Sequence, residues 1–540
     1  MHGGIRRFRI AVTASGIAAM GMTSGGTAAA TLFQYRVPVA TKQGESEALL
    51  WLPPEAEQVR GAVVVGFTLA EAEMVRDPIV RRACAEEGLA LLFIRAGLGA
   101  VRVPELLDQA ARATGYDELK SAPLIFAGHS AGGPQAQRCT VEMAERAVAL
   151  LQYRGGVPSA EAPIPPGIPA LAMMAQFDEF WGEMRRADGT ESWQRAVRYL
   201  AGFRAADARH LGSIVVEPGA GHFGWSRRNA DYAALFIRKA ARARIPRGGP
   251  EPAGRLPDLL SIAPESGWLT GLELDRDPEC APFADYRGDR AATSWHFDEE
   301  MARATLAYHR GLRGKKDQFI RWEDPHWVDA GVRHFFTQIT WVDDGRTFQT
   351  HPVYADSYPV SKDGQGPRWA LAGQPAGHAK VPILVRPVAG PIEAAGGTKL
   401  RLHHDALWPA GEHSRPTFLA YSEGDEEYRY TECVGMLPRG FRGLTEGQTQ
   451  TIEFQAPSVL RPDSAPVPLE AVSDAGLPVE FYVAYGPARI ENGRLVVAEI
   501  PRRARFPIEI KVVAYQVGRA LDPKVRAATP VERVIRLDPR

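Results

Sequence analysis

Cysteine is scarce in this chain of 540 residues. Its four cysteines, Cys84, Cys139, Cys280 and Cys433, are far apart, and no two of them form a CxxC pair. A zinc site made of cysteines and a disulfide-rich scaffold both need closely spaced cysteines, so the sequence argues against both. If the chain is exported, one or two disulfides remain possible, and the sequence does not choose among the three pairings that four cysteines allow.

An excess of charge of either sign is also absent. Lys plus Arg and Asp plus Glu each total 64, so the formal net charge at pH 7 is +0. Because no overall field attracts nucleic acid or an anionic membrane, neither is expected as a partner. The chain also has no Walker loop and no GxGxxG after a predicted strand, and we expect it to use no cofactor.

Closely spaced metal ligands are few. His403, His404 and Asp405 are adjacent, and His326 stands alone. In LRLHHDAL the leucines alternate with Arg401 and His403, as they do on a strand with one buried face. An exposed strand edge is therefore the better interpretation, and no metal site is predicted.

No apolar run is long enough for a membrane span, but the start of the chain differs from the rest. Arg6, Arg7 and Arg9 precede an acid-free stretch of small and apolar residues, and alanines occupy positions 28–30. A basic region, a short apolar region and small residues at a cleavage site are typical of an export signal. We therefore expect residues 1–30 to be such a signal and the mature protein to be secreted or periplasmic. The export route stays open.

The pattern of apolar runs predicts more than one domain, because 540 residues are too many for a single core. Between residues 32 and 245, short apolar runs alternate with helix-like segments. This alternation indicates an α/β fold with a mostly parallel sheet covered by helices. Strands are predicted at 62–67, 89–94, 124–127, 147–152, 169–175 and 213–217, an additional antiparallel pair at 33–39 and 47–52, and helices at 104–113 and 133–149.

A Pro/Gly-rich run, IPRGGPEP at residues 245–252, is typical of a linker and ends this region. We therefore place the α/β domain at residues 31–250. Residues 251–370 mix aromatics, charges and turns around one predicted helix, 297–312. The sequence does not decide whether they extend the first domain or form another.

Strands replace helices in the last third of the chain. They predict a β-sandwich-like module at residues 371–455 and a second module at 456–540. Asn492-Gly493 indicates a tight hairpin, because both central positions of a type I′ turn need positive φ. The segment AVSDAGLPVEFYVAYGPARIENGRLVV resembles the repeat of bacterial immunoglobulin-like domains, which implies an immunoglobulin-like sandwich in the second module.

One short motif points to chemistry. Gly128-His129-Ser130-Ala131-Gly132 has the form GxSxG, follows a predicted buried strand and precedes a predicted helix. That order is what a nucleophile elbow needs, because the serine sits on a turn too sharp for side chains at the flanking glycines. Ser130 is therefore a candidate nucleophile, and Gly128, His129 and Gly132 complete the elbow.

A serine hydroxyl needs a base, and the base needs an acid that orients it. His222 lies five residues past a predicted strand in a Gly-rich loop, whereas His210 precedes that strand and would lie at the opposite edge of the sheet. Asp178 follows the strand before it. It is favoured over Glu179, because neighbouring residues of an extended segment point in different directions.

With GHSAG, AQFDE and PGAGHF in this order, residues 32–245 resemble the α/β-hydrolase superfamily. The resemblance implies that Ser130 attacks a carbonyl carbon, that His222 carries the proton and that Asp178 orients the imidazole.

The same resemblance implies an oxyanion hole made of two backbone N–H groups. Ala131, directly after the nucleophile, is expected to supply one of them, and Phe67 or Thr68, after an earlier strand, the other.

Four aromatic residues stand beside the acid and the base. They either line a substrate pocket or pack against the sheet. They are Phe180, Trp181, Phe223 and Trp225.

Together these features predict a secreted serine hydrolase that cleaves carboxylic esters through an acyl-enzyme. Its expected partner is a small-molecule or polysaccharide-linked ester, with carbohydrate-linked and aryl esters as the leading classes. Two alternatives stay open. One is a serine peptidase of the same fold, and the other is a non-catalytic surface-binding or adhesion protein built on a hydrolase scaffold.

Overall fold

The computed structural model describes residues 31–42, 44–155, 163–178, 192–247, 255–256, 258–273, 276–323, 337–358, 373–437 and 443–540. The predicted export signal lies outside these residues. Across the described ranges, no helix combines the length and apolar character that crossing a bilayer needs.

An eight-stranded sheet forms the centre of the N-terminal region. The strands lie in the order β1-β2-β4-β3-β5-β6-β7-β8. The first two are antiparallel, and those from β4 to β8 run parallel to one another, as the sequence predicts. Their bounds are β1 (Tyr35–Thr41), β2 (Gly44–Trp51), β3 (Gly61–Gly66), β4 (Leu89–Ile94), β5 (Leu124–His129), β6 (Ala147–Tyr153), β7 (Pro169–Ala175) and β8 (Leu211–Glu217).

Helices cover both faces of this sheet, because the strands from β3 to β8 are buried along their whole length and need apolar cover on either side. The helices are α1 (Glu71–Arg76), α2 (Pro78–Glu86), α3 (Val103–Thr114), α4 (Gly132–Glu142), α5 (Ser192–Ala206), α6 (Arg227–Arg244) and α7 (Glu299–His309).

The helix after the elbow is shorter than predicted. The sequence prediction runs it to residue 149, but α4 ends at Glu142. Ala147 instead pairs with Leu124 at the start of β6. Alanine favours a helix over a strand, so the pairing with β5 overrides the local preference here.

Small antiparallel sheets follow the first domain. One sheet has the order β10-β9-β11, β12 pairs with β15, and β13 pairs with β14. These strands are β9 (Trp268–Gly271), β10 (Cys280–Pro282), β11 (Thr293–His296), β12 (Phe319–Trp322), β13 (Ile339–Val342), β14 (Thr347–Thr350) and β15 (Pro352–Ala355).

The C-terminal region is rich in strands, as predicted. Its sheets have the orders β16-β19-β20, β21-β24, β22-β29-β28-β25 and β23-β27-β26. The strands are β16 (Leu384–Ala389), β17 (Ile392–Ala394), β18 (Lys399–Leu402), β19 (Thr417–Ser422), β20 (Thr431–Met436), β21 (Ile452–Gln455), β22 (Val459–Leu460), β23 (Val467–Pro468), β24 (Glu470–Ser473), β25 (Glu480–Tyr485), β26 (Ala488–Glu491), β27 (Arg494–Val497), β28 (Ile508–Tyr515) and β29 (Val531–Leu537).

The predicted hairpin at Asn492-Gly493 is confirmed. Both residues have positive φ, +49° and +72°, and the flanking Glu491 and Arg494 pair across the turn. The immunoglobulin-like character of this module stays a prediction.

Two strand pairings cross the positions at which the sequence suggests module boundaries. β14 pairs with β18 across residue 370, and β21 pairs with β24 across residue 455. β18 also pairs with β17 on its other side, so the predicted exposed strand edge at LRLHHDAL is wrong. Leu400 and Leu402 are buried as expected, but the strand lies inside its sheet.

The histidines after β18 have protein partners. The Nδ1 atom of His403 lies 3.0 Å from the Tyr515 hydroxyl, and that of His404 lies 3.0 Å from the carbonyl oxygen of Trp408. His326 lies outside the described residues. The described parts of the chain contain no group of three His, Cys, Asp or Glu side chains able to hold a metal ion, and the four cysteines are free thiols.

The N-terminal α/β region and the C-terminal strands share one hydrophobic core. A single apolar cluster includes Tyr35 and Val37 of β1 together with Ile510 and Val512 of β28. Hydrogen bonds reinforce the contact, because the Arg505 amide donates to the Thr114 carbonyl at the end of α3. Neither of these two regions buries its apolar surface alone.

We therefore expect a fragment of residues 31–247 to lack a cooperative thermal transition and to bind a dye specific for exposed apolar surface. The full chain, as the control, should unfold in one transition that includes both the α/β region and the C-terminal strands. Calorimetry and dye fluorescence measure this. A monomeric fragment that unfolds cooperatively without binding the dye would contradict the shared core.

Candidate active site

The GxSxG segment forms a sharp turn between β5 and α4. Ser130 has a φ of +51°. This backbone conformation is strained for any residue other than glycine. A Cβ at Gly128 would lie 2.2 Å from the Gly132 carbonyl oxygen, so only glycine fits there. The turn leaves Ser130 half-buried and Ala131 exposed at the end of the strand.

The structure brings Ser130, His222 and Asp178 together. The Ser130 Oγ atom lies 2.8 Å from His222 Nε2, and His222 Nδ1 lies 2.9 Å from Asp178 Oδ2 and 3.0 Å from Oδ1. Because the carboxylate accepts from Nδ1–H, Nε2 is left to accept the serine proton. The side chains of His222 and Asp178 are 3% and 1% exposed, so water scarcely competes for their hydrogen bond.

The three side chains meet because their strands are parallel. Ser130 follows β5, Asp178 follows β7 and His222 follows β8, so all three lie at one edge of the sheet. His210 precedes β8 and lies at the opposite edge, as the sequence predicts. Glu179 lies outside the described residues.

His129, inside the elbow, contacts the backbone of His222. Its Nε2–H donates to the carbonyl oxygen of His222, 3.0 Å away. Burial and the neighbouring His222 ring hold the pKa of His129 well below its ordinary value, so the ring is neutral. The hydrogen bond therefore ties His129 to the backbone that carries His222.

We call residues 218–226 the histidine loop. Its backbone is hydrogen-bonded to the residues that follow β7. The Gly219 amide donates to Gln176 Oε1 at 2.7 Å, and the Phe177 amide donates to the Ala220 carbonyl at 2.9 Å. The Tyr153 hydroxyl donates to the Gly224 carbonyl. The loop is therefore held on both sides of His222.

Arg154 is a functional candidate that sequence reasoning missed. Its guanidinium is 1% exposed, forms ion pairs with Glu217 and Glu432, and donates to the Gly221 carbonyl. Burial works against this charge, but Tyr153, Glu217 and Glu432 outweigh it and hold the pKa of Arg154 well above its ordinary value. The only local signal was a charged residue directly after an apolar strand.

The next residue explains why Arg154 lies so close to the elbow. Gly155 has a φ of +148°, and a Cβ there would lie 2.4 Å from the Cα of Ser130. The end of β6 therefore packs directly under the serine, and its arginine reaches past it to the histidine loop.

The predicted oxyanion donors differ in their availability. The Ala131 N–H makes no hydrogen bond to any described residue, and Ala131 is exposed. The Phe67 amide instead donates to Ile94 O at 2.9 Å, and the Thr68 amide donates to Glu71 Oε2 at 3.0 Å. Neither predicted second donor is free in this conformation.

Glu71 is the second residue missed by sequence reasoning. Its carboxyl group, 2% exposed, accepts from the backbone amides of Thr68, Leu69 and His129 at 3.0, 2.8 and 2.7 Å. It therefore joins the loop after β3 to the elbow. In sequence it is only one acid in the first turn of a short helix.

The Thr68 hydroxyl connects Glu71 to the elbow. It donates to Glu71 Oε1 and lies 2.8 Å from the His129 carbonyl oxygen. Burial raises the pKa of the Glu71 carboxyl, and this effect outweighs the hydrogen bonds from Thr68, Leu69 and His129, which lower it.

The aromatic residues near the base pack more than they line a pocket. Phe223 is buried against Leu419, Val434 and Met436 of the C-terminal region. Trp225 donates from Nε1 to Asp77 Oδ2 at 2.9 Å and stacks edge-on against Tyr153. Phe180 and Trp181 lie outside the described residues.

Neither a family model nor a curated protein sequence matches this chain, but solved structures match part of it. An esterase from the archaeon Pyrobaculum calidifontis is 15% identical, over 38% of this chain and 85% of its own, with a TM-score of 0.27. An esterase domain from Rhodothermus marinus is 19% identical, over 38% and 97%, with a TM-score of 0.26. An S-formylglutathione hydrolase from Agrobacterium tumefaciens is 16% identical, over 38% and 93%, with a TM-score of 0.28.

We expect Glu71→Ala to lower the free energy of unfolding by about 3 kcal/mol or more, because three backbone N–H groups lose their acceptor in a buried site. The loss should be larger at about pH 4.5 than at about pH 8, since a raised pKa adds stability at low pH that disappears as the pH rises through it. Urea denaturation at both pH values measures this. Glu105→Ala, an exposed acid on α3, is the control, and an equal loss in the two variants would contradict the role of Glu71.

Proposed function

We propose that this protein is a serine hydrolase that cleaves carboxylic esters. The hydrogen-bonded series from Ser130 Oγ through His222 to Asp178, with distances of 2.8 and 2.9 Å, carries the proposal. A hydroxyl on a strained turn, an imidazole within reach and a buried carboxylate behind it are the parts that acyl transfer to serine needs.

In the proposed reaction, Ser130 Oγ bonds to the ester carbonyl carbon while its proton passes to His222 Nε2. The tetrahedral intermediate then expels the alcohol, which takes that proton, and an acyl-enzyme remains. Water repeats the sequence: His222 removes its proton, the hydroxide attacks the acyl carbon, and Ser130 Oγ leaves with the proton. Asp178 stabilises the imidazolium formed in each half.

The oxyanion site favours esters over amides in this proposal. The Ala131 N–H is available to the developing oxyanion, whereas the amides of Phe67 and Thr68 donate to protein acceptors. A missing oxyanion donor costs about 10²–10³ in rate, which reactive esters tolerate better than amides do. We infer that substrate binding has to reorganise the loop after β3 before a second donor forms.

The natural substrate class remains that suggested by the sequence. We propose a small-molecule or polysaccharide-linked ester, with carbohydrate-linked and aryl esters first, acted on by a secreted or periplasmic protein. The proposed organisation has the catalytic domain at residues 31–250, followed by a mixed segment and two β-sandwich modules, the last of them immunoglobulin-like.

Ser130→Ala should remove labelling by a fluorophosphonate probe and reduce ester turnover by about 10³-fold or more, because the attacking oxygen is gone. Ser266→Ala, an exposed serine outside the site, is the control and should keep both. A panel of acyl esters, aryl esters and short peptides measures the preference. Turnover of peptides alone would support a peptidase, and absence of labelling and turnover in the unaltered protein would support a non-catalytic scaffold.

Asp178→Asn should lower kcat by about 10³–10⁴-fold while leaving the fold intact, because an amide at this place selects the wrong imidazole tautomer. Asp207→Asn, at a half-buried acid that pairs with Arg209 before β8 and lies outside the site, is the control and should leave kcat unchanged. Steady-state kinetics and thermal melts measure the two effects. A kcat within about tenfold of the unaltered protein would remove Asp178 from the proposed mechanism.

A further inference from the structure

Strand β20 of the C-terminal region lies directly against the histidine loop. A Cβ at Gly219, where φ is +69°, would lie 1.6 Å from the Tyr430 carbonyl oxygen. A Cβ at Gly224 would lie 2.4 Å from Glu432 Oε2. The contact is therefore too close for any side chain on the loop at these two positions.

Glu432 makes the polar part of this contact. Its Oε1 atom accepts from the Gly221 amide at 2.8 Å and from Arg154 at 2.9 Å, and its Oε2 atom accepts from the Tyr430 hydroxyl. Arg154 also donates to the Gly221 carbonyl. Both peptide groups of the residue before His222 are thus held by one buried ion pair.

Burying the Glu432 carboxylate costs free energy, which its partners have to offset. The Glu432 side chain is 1% exposed, and an isolated carboxylate in such a place is strongly disfavoured. A buried ion pair also contributes little to stability compared with apolar residues of the same volume. What the pair provides here is a fixed position for the backbone that carries His222.

The apolar surroundings add a second fixed contact. Phe223, the residue after His222, is buried against Leu419 of β19 and against Val434 and Met436 of β20. The base is therefore flanked on one side by the Glu432 ion pair and on the other by the apolar face of the same sheet.

We propose that Glu432 is a positioning residue for the base, which makes strand β20 a structural part of the active site rather than a separate binding module. The inference rests on the proposed function, because it concerns the reach of His222 to Ser130. Glu432 acts through the Gly221 peptide and touches no reacting atom. A displacement of about 1 Å in such a group costs about 10²-fold in rate.

The test compares Glu432→Ala with Glu432→Gln in the full chain. Glu432→Ala removes the acceptor of the Gly221 amide and should lower kcat on an aryl ester by about 10- to 100-fold, with KM within about threefold. Glu432→Gln keeps an oxygen for that amide and should recover part of the loss. Glu427→Ala, an exposed acid that pairs with Lys316 just before β20, is the matched control and should leave kcat unchanged.

Ser130→Ala, measured on the same ester, separates the two levels of the proposal. If Ser130→Ala removes turnover but folded Glu432→Ala keeps full kcat, the positioning role is overturned and the proposed function stands. If Ser130→Ala keeps turnover, both fall together. Loss of the folded state in both Glu432 variants, followed by circular dichroism, would assign Glu432 to stability and also overturn the positioning role.

Discussion

The buried guanidinium of Arg154 is the contact on which the candidate active site depends. It joins Glu217 at the end of β8 to Glu432 of β20 and donates to the Gly221 carbonyl in the histidine loop. A charge removed from water is stable only with close partners, so each member of this group needs the others in place. The elbow, the histidine loop and the strand-rich region therefore share one electrostatic constraint.

The parallel sheet places this constraint next to the chemistry. β5, β6, β7 and β8 are neighbours, and their carboxyl ends supply Ser130, Arg154, Asp178 and His222 in the order of the strands. Three of these residues form the hydrogen-bonded series, and the fourth forms ion pairs with Glu217 and Glu432 beside the histidine loop. The site is an edge of the sheet to which each neighbouring strand adds one side chain.

The sequence predicts those parts of the molecule that depend on local pattern. Continuous apolar runs identify the buried parallel strands, and position after a strand identifies Asp178 and His222 as residues that the structure brings to Ser130. Arg154 and Glu432 are 278 residues apart, so no local pattern relates them. Glu71 resembles an ordinary first-turn acid, and only the return of the chain to His129, 58 residues later, buries it.

The glycines around His222 show how a local pattern can suggest the wrong property. A Gly-rich loop is commonly interpreted as flexible, because glycine has the greatest backbone freedom. Here Gly219 and Gly224 are needed because backbone and carboxylate groups of β20 approach too closely for a Cβ. The same closeness gives the loop its hydrogen bonds from Arg154 and Glu432. The glycines therefore mark the surface on which β20 packs, and the hydrogen bonds made there hold the backbone that places His222 Nε2 2.8 Å from Ser130 Oγ.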